Sequence, residues 1–560
     1  MAAVAYEFDR FLRHDEMSSW IDSMVAAHPG LASVEQYGTS HEGRPLLLVT
    51  LTDSSTGHHS TKPAMWVDAN IHSVEVTGGV AALHLIHHLL TGFASGDEKV
   101  TEAMRTRTFY VAPRVNPDGV EAALADSPRY RRSSMRPWPW TDRHTWPGLL
   151  THDVDGDGRI LTMRIADPNG AWVEHPEDAR LMIPVDHSAA PRGAARYRLL
   201  AEGTITDWDG FTVPKPGSPE GLDMNRNFPA GWDTSVTGSG DHPMSEPEID
   251  ALVRAVRARP NVCGYNAYHT SGGFLLRPSS TKPDSKLPPE DVWTFRELGR
   301  FCTEATGYPV HSVYEDFTWD TSDTMSGAAD DWAYEHLGVF SWTTEFWDAV
   351  AAATDHRSST HIWYVGPTVE DELAVHRWAD ANAPGTVHPW RPFSHPQLGD
   401  IEIGGMDDFR LWTNAPPSHL RAEVTPHASF AVHQALMSPR LEILHTRAER
   451  LGEGTWRLEV GVANTGWLPT HVSSHARKNK LCLPGWVQVD GAETVGSPAR
   501  ATFGNLAGRL AFRLAGGMRN DGTPDRQLLT WVVRAAAETV VTVTASHQRA
   551  GTVTASVTLG

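Results

Sequence analysis

The stretch VDANIHSVEVTGG, residues 67–79, presents His72 and Glu75 three residues apart, between an apolar run and a helix-like segment. An imidazole and a carboxylate at this spacing can turn to one point, and both are good zinc ligands. The same residues also suit a plainer role as polar groups at a helix start, and H-x-x-E alone does not separate the two readings. Further chemistry-bearing residues end other strand-like runs. His269 closes NVCGYNAYH, and Glu345 stands near the end of GVFSWTTEF. RVNPDG carries a turn at Asn116, and fifteen residues later comes Arg131, with Arg129, Arg132 and Arg136 alongside. DMNRNF holds Asn225 and Arg226.

The elements around these residues follow from periodicity. Trp20, Ile21, Met24 and Val25 fall on one helical face. LASVEQYGTSHEGRPLLLVTLT reads as two strands around a Gly-containing turn. Val76, Val80, Leu83, Ile86 and Leu90 recur near helical period. SEPEIDALVRAV predicts a helix with a capping box from Ser245 to Glu248 and a Pro in its first turn. Strands alternating with helices predict an α/β fold with a mixed, largely parallel sheet flanked by helices. Sites in such sheets collect at the carboxyl ends of strands. The texture changes after about residue 435: TWRLEVGVANTG alternates apolar residues, and ETVVTVTASHQRAGTVTASVTL is Thr/Val-rich with a central turn. Residues 436–560 therefore read as an all-β sandwich without helices. Residues 386–435, dense in Pro, His and Gly, read as an ordered connector, and residues 1–385 as the α/β domain that carries the chemistry-bearing residues.

With these residues assembled, the sequence resembles the zinc metallocarboxypeptidase family over about residues 15–375. That family carries H-x-x-E, an N-P-D-G turn, an N-R pair, a distant His and a strand-borne Glu, and all occur here. SGAADDWAYEHLGVFSWTTEF matches it without gaps as far as Glu345. The resemblance implies that His72, Glu75 and His269 bind Zn2+, leaving a fourth position for water. It implies that Glu345 is the general base and that Arg131 stabilises the oxyanion. Asn225 and Arg226 would hold the free C-terminal carboxylate of a peptide substrate, a task that suits a guanidinium fork. Asp330 aligns with the floor of the specificity pocket, where an Asp goes with preference for C-terminal Lys or Arg. The position of the family's lid tyrosine is Asp323 here, with Tyr314 the nearest substitute.

An insertion spans about residues 137–220, opened by the Trp- and Pro-rich stretch RPWPWTDRHTWPG. Within it, DVDGDGRI places Asp153, Asp155 and Asp157 as in the first positions of a calcium loop of the EF-hand kind. Position twelve is Arg164 instead of Glu, so the bidentate ligand must come from elsewhere, with Asp167 the nearest candidate. The loop reads either as a Ca2+ site or as a solvated acidic turn.

The 560-residue chain carries a formal net charge of −20, which argues against nucleic acid and anionic membranes as partners. Three widely spaced cysteines, Cys263, Cys302 and Cys482, define no disulfide framework. The N-terminal residues show no apolar signal core, and no apolar run of membrane-spanning length is expected, so the expected location is cytoplasmic, with secretion by another route left open. Two other amide substrates fit the same residues: a cell-wall peptide cut beside diaminopimelate, and an N-acyl amino acid. The non-enzymatic rival is a peptide-binding module that has lost catalysis, which the presence of Glu345 and all three ligands disfavours.

Overall fold

A computed structural model describes residues 6–139, 148–186, 195–213, 222–322, 324–511 and 522–560. Its largest sheet has eight strands, in the spatial order Ala32–Thr39, Pro45–Leu51, Thr108–Ala112, Ala64–Ala69, Val262–Thr270, Phe340–Phe346, Phe274–Arg277 and Val310–Ser312. The centre is parallel, from Thr108–Ala112 to Phe340–Phe346, and antiparallel pairs join it on either side. The central strands are apolar on both faces, as a strand covered twice requires. Along Ala64–Ala69, Met65 and Val67 face the core shared with the helices His14–Ala27, Val76–Ser95 and Pro417–Met437. Ala64 and Trp66 face the opposite core, with the helices Pro247–Arg257 and Pro289–Thr306. This two-residue alternation puts one α-layer on each side of the sheet.

The Gly pair in VTGG sets how closely the first long helix approaches the sheet. A Cβ on Gly78 would lie 2.7 Å from the carbonyl oxygen of Tyr268, and one on Gly79 would lie 2.4 Å from Asn70 Oδ1. Only glycine permits this contact, which seats the helix next to the residue preceding His269. By length and composition, Val76–Ser95 could cross a membrane, contrary to the expectation from the sequence. Most of it is buried against the sheet and the helix Pro417–Met437.

The insertion and the segment read as a connector build a sheet together. Val387–His395 and Gly399–Met406 form a hairpin, and the second strand pairs with Thr162–Ala166, Ile403 opposite Met163. Tyr197–Ala201, Trp172–Glu174 and Met182–Pro184 complete six strands. The connector range also contains most of the helix Pro417–Met437, whose pattern is hard to read in the sequence. It packs against helices Val76–Ser95 and Pro289–Thr306, so it lacks a single apolar stripe, and Pro426 lies inside it. The helix Pro247–Arg257 starts one residue after Glu246, and among the described residues no side chain caps it. Glu248, expected in a capping box, instead accepts the His41 N–H at 2.7 Å.

From Leu441 to Thr558 two four-stranded antiparallel sheets face each other across one core, with Val460, Trp531 and Val533 from one and Val487, Val541 and Val543 from the other. One short helix, Ser474–Asn479, departs from the all-strand expectation. Its first amides are held from outside: Asp291 accepts the N–H groups of Ser474 and His475 at 2.7 and 2.9 Å.

Candidate active site

Three parallel strands end side by side. His269 is in register with Glu345 on the adjacent strand, which places both side chains on one face at one height. On the other side, Ala69 pairs with Tyr268, and the chain then turns at Asn70, φ 55°, to carry His72 and Glu75 over the strand ends. Asn70 Nδ2 donates to the Glu75 carbonyl at 2.7 Å and holds this turn.

Glu75 occupies the cap position of the helix Val76–Ser95, yet its carboxylate makes no capping bond. It lies 2.9 Å from His72 Nδ1 and 2.8 Å from His269 Nδ1, and accepts the Thr270 N–H at 3.2 Å. The two Nδ1 atoms are 3.1 Å apart, and all three residues are buried. Atoms with lone pairs repel at such separations unless a proton or a cation lies among them. Two ligands of a tetrahedral zinc, each ~2.0–2.1 Å from it, stand roughly 3.3 Å apart. The donor set, its burial and its convergence therefore fit a zinc ion.

The surroundings carry the matching charge. His72 Nε2 lies 2.9 Å from Asp223 Oδ1, which fixes the ring and makes Nδ1 the better donor. Against the effect of burial, His72 and Arg226 hold the Asp223 carboxyl well below the usual carboxylate range. Burial is likewise outweighed at Glu75 by His72, Arg132 and His269. Burial and Arg132 work against a proton on His72, but Glu75 and Asp223 raise its pKa. Burial raises the Glu345 carboxyl above its ordinary pKa, opposed by His269 and assisted by Glu75.

The guanidinium that reaches the cluster belongs to Arg132, whereas the family resemblance points to Arg131. Arg132 Nη1 donates to Glu75 Oε1 at 2.5 Å, Nε lies 3.8 Å from Asp223, and about half of the side chain, 52%, remains exposed. Ser73 anchors this segment: its N–H donates to the Arg132 carbonyl and its hydroxyl to that of Arg131. Neighbouring residues of an irregular segment point different ways, and spacing does not choose between them. The N-P-D-G turn supports the same segment, since Asn116 Nδ2 donates to the Ser133 carbonyl at 2.9 Å.

Asn225 and Arg226 lie on a short helical turn, Met224–Arg226, that Asp223 caps. Asn225 Oδ1 accepts the Ala329 N–H at 2.9 Å. Arg226 lines a cavity of about 260 Å3 with Trp319, Met325 and Tyr364. Trp319 and Tyr364 are 57% and 50% exposed and stack with ring centroids 6.0 Å apart. Asp330 follows Ala329 in the chain and is buried, and its Oδ2 has no hydrogen-bond partner among the described residues. Tyr314 donates its backbone N–H to the Ser279 carbonyl. Asp323, and residues 140–147 of the Trp- and Pro-rich stretch, lie outside the described residues.

In the acidic loop, oxygens of Asp153, Asp155 and Asp157 lie within 4.8 Å of one another. Asp167 is not with them: it pairs with Arg198 at 2.9 Å because it sits on the turn after the strand Thr162–Ala166. Arg164 pairs with Glu174 and Glu402 instead. The carboxylate that does adjoin the loop is Glu202, which accepts the Val154 and Leu161 N–H groups at 2.8 Å each. Arg391 Nη2 bridges Asp155 and Asp157 at 3.0 and 2.7 Å.

The contact of Asp223 with His72 was not legible from the sequence. The available signal is its place two residues before Asn225, together with the rule that a ligating His usually has a carboxylate behind it.

A family model described as zinc carboxypeptidase matches residues 17–155 and 194–357, more than half of the chain, including every residue of the strand-end cluster. Residues 440–558 match a domain of unknown function (DUF8731). Carboxypeptidase A2 of Rattus norvegicus is 29% identical over 337 residues, covering 60% of this chain and 61% of the relative. Carboxypeptidase A5 of Macaca fascicularis is 22% identical over 355 residues, covering 61% and 62%. The chain thus spans about three-fifths of the length of these two relatives. A crystal structure of thrombin activatable fibrinolysis inhibitor superposes with a TM-score of 0.44 at 16% identity, covering 77% of this chain and 75% of that one. A family match over more than half of the chain, around a cluster of two histidines and a glutamate built to hold zinc, makes this chain a member of the zinc carboxypeptidase family.

Proposed function

We propose that the protein is a zinc metallocarboxypeptidase that removes the C-terminal residue of peptides. The observation that carries this reading is the convergence of His72, Glu75 and His269 next to Glu345, at the ends of adjacent parallel strands. A bound zinc supplies Lewis acidity, which polarises the scissile carbonyl and brings the pKa of a water toward neutrality.

The chain's own residues do the rest. Glu345 accepts the proton of the attacking water and passes it to the leaving nitrogen as the C–N bond breaks, giving a shortened peptide and a free amino acid. Its burial suits a carboxylate that must take and release a proton. To Arg132, whose Nη1 donates to Glu75, we assign the oxyanion-stabilising role that the resemblance gives to Arg131. Arg226 and the Nδ2 end of Asn225 hold the terminal carboxylate. For the terminal side chain we assign Asp330 as the pocket floor and a preference for Lys or Arg. The buried Asp330 oxygen, which has no hydrogen-bond partner among the described residues, supports it, because a buried carboxylate favours a cation.

For the acidic loop we propose Ca2+, held by Asp153, Asp155 and Asp157 in a structural role, with Arg391 displaced on binding.

The test is Glu345→Gln. Turnover falls by about 10²–10⁴-fold while zinc content and melting temperature stay at the parent's values. A variant that hydrolyses as fast as the parent removes Glu345 from the role of base.

A further inference from the structure

Two residues after Glu345, the backbone leaves the strand in an unusual way. Trp347 has φ 67°, a left-handed conformation that disfavours any residue with a side chain, and it is buried. Such a conformation persists only where neighbours hold it. The Trp347 N–H donates to Glu423 Oε1 and to the Tyr308 hydroxyl, both at 2.8 Å, and the Tyr308 hydroxyl in turn donates to Glu423. The indole Nε1 donates to the Leu411 carbonyl at 2.8 Å.

This knot bears on the cluster through the main chain. The Trp347 carbonyl accepts the Gly272 N–H at 2.7 Å, and the Glu345 carbonyl accepts the Gly273 N–H at 2.8 Å. Gly272 and Gly273 lie just beyond the strand that carries His269, separated from it by Ser271. Arg357 closes the other side, with Nη1 donating to the Gly273 carbonyl at 3.0 Å and its guanidinium 5.2 Å from the Tyr308 ring centre. Glu423 itself belongs to the helix Pro417–Met437, outside the stretches that match the family model. One turn further along the helix, His427 packs on Phe346 and Tyr308, with ring centroids 4.5 and 4.6 Å away.

We propose that Glu423 is a positioning residue for the hydrolytic reaction: by holding the Trp347 N–H it keeps the end of the strand Phe340–Phe346 tied to residues 272–273, and so keeps Glu345 beside His269. It touches neither substrate nor metal. The proposal rests on Glu345 being the general base, and it makes the helix Pro417–Met437 a working part of the site.

The experiment compares the parent with Glu423→Ala, Glu423→Gln and Tyr308→Phe, all zinc-loaded. It measures kcat and KM on a peptide substrate, zinc content, and hydrogen exchange of the backbone around residues 272–273 and 345–347. Glu423→Ala lowers kcat by roughly 10- to 100-fold with KM within about twofold, keeps its zinc, and speeds exchange at both segments. Glu423→Gln, which retains an acceptor oxygen for Trp347, recovers most of kcat. If Glu423→Ala fails to fold, Tyr308→Phe gives a smaller loss of the same kind. Should the parent itself prove inactive, the reading of the reaction fails, and exchange alone then judges the tie. The proposal is overturned by unchanged exchange at residues 345–347, by an unchanged kcat in a folded Glu423→Ala protein, or by Gln being as damaging as Ala.

Discussion

Among the described residues, two clusters of candidate ligands offer themselves to cations, and they are built differently. At the strand ends, two imidazoles and a carboxylate converge in a buried space, with a carboxylate behind one ring and a general-base candidate beside the other. In the loop at Asp153, Asp155 and Asp157, three partly exposed carboxylates gather around backbone amides, and Arg391 already neutralises two of them. The first cluster is positioned by parallel strands whose core packing fixes them; the second is positioned by its own turn. A mixed nitrogen and oxygen set suits zinc, and an all-oxygen set suits calcium. The difference teaches that a site able to do chemistry is recognised less by its acidic residues than by what orients them.

The contrast can be broken at the carboxylate behind the ring. Asp223→Asn leaves the three ligands in place but weakens orientation of His72, and zinc affinity falls by about 10- to 100-fold in a competition titration with a chelator. Unchanged affinity would mean that the two clusters differ only in ligand type. The histidines outside the site sharpen the comparison. Carboxylates raise the pKa of His72, whereas burial lowers His427 to about 3 and His84, His471 and His547 to about 4. The unfolded chain protonates these groups near their ordinary pKa of about 6.5, and the folded chain does so only at lower pH. Their contribution to stability is therefore complete above about pH 6.5 and is lost as the pH falls toward 4 and then 3. Melting temperature should drop over that window, and His427→Gln should flatten the drop; a flat profile in the parent contradicts the buried, neutral state. The smallest effect belongs to the acidic loop. Calcium raises the melting temperature by about 2–4 °C, and Asp153→Asn abolishes the rise. A rise that persists in the variant places the calcium elsewhere.

The sequence was most legible where short apolar runs end in a charged or ligating residue. His72, Glu75, His269 and Glu345 stand at strand ends, and the register that unites them follows from parallel pairing of the strands themselves. What escaped depends on side-chain direction or on distant partners. Arg131 and Arg132 are adjacent in sequence and Ser73 binds both of their carbonyls, so it is side-chain direction that brings Arg132 to Glu75. Asp223 meets His72 across 151 positions of sequence. The hairpin Val387–Met406 looked like a connector because its partner, Thr162–Ala166, lies in the insertion. Asp167 was nearest in sequence to the acidic loop, but Glu202 is nearer in space.

The central claim is that the strand-end cluster performs zinc-dependent removal of a C-terminal residue. Its most direct test is mass spectrometry of a peptide mixture incubated with the zinc-loaded protein, with each peptide present as the free acid and as its C-terminal amide, with and without a chelator. The account predicts loss of one residue from the free acids alone, fastest for terminal Lys or Arg, abolished by the chelator and restored by zinc. Equal cutting of the amides, internal cleavage, or activity that survives the chelator would contradict it.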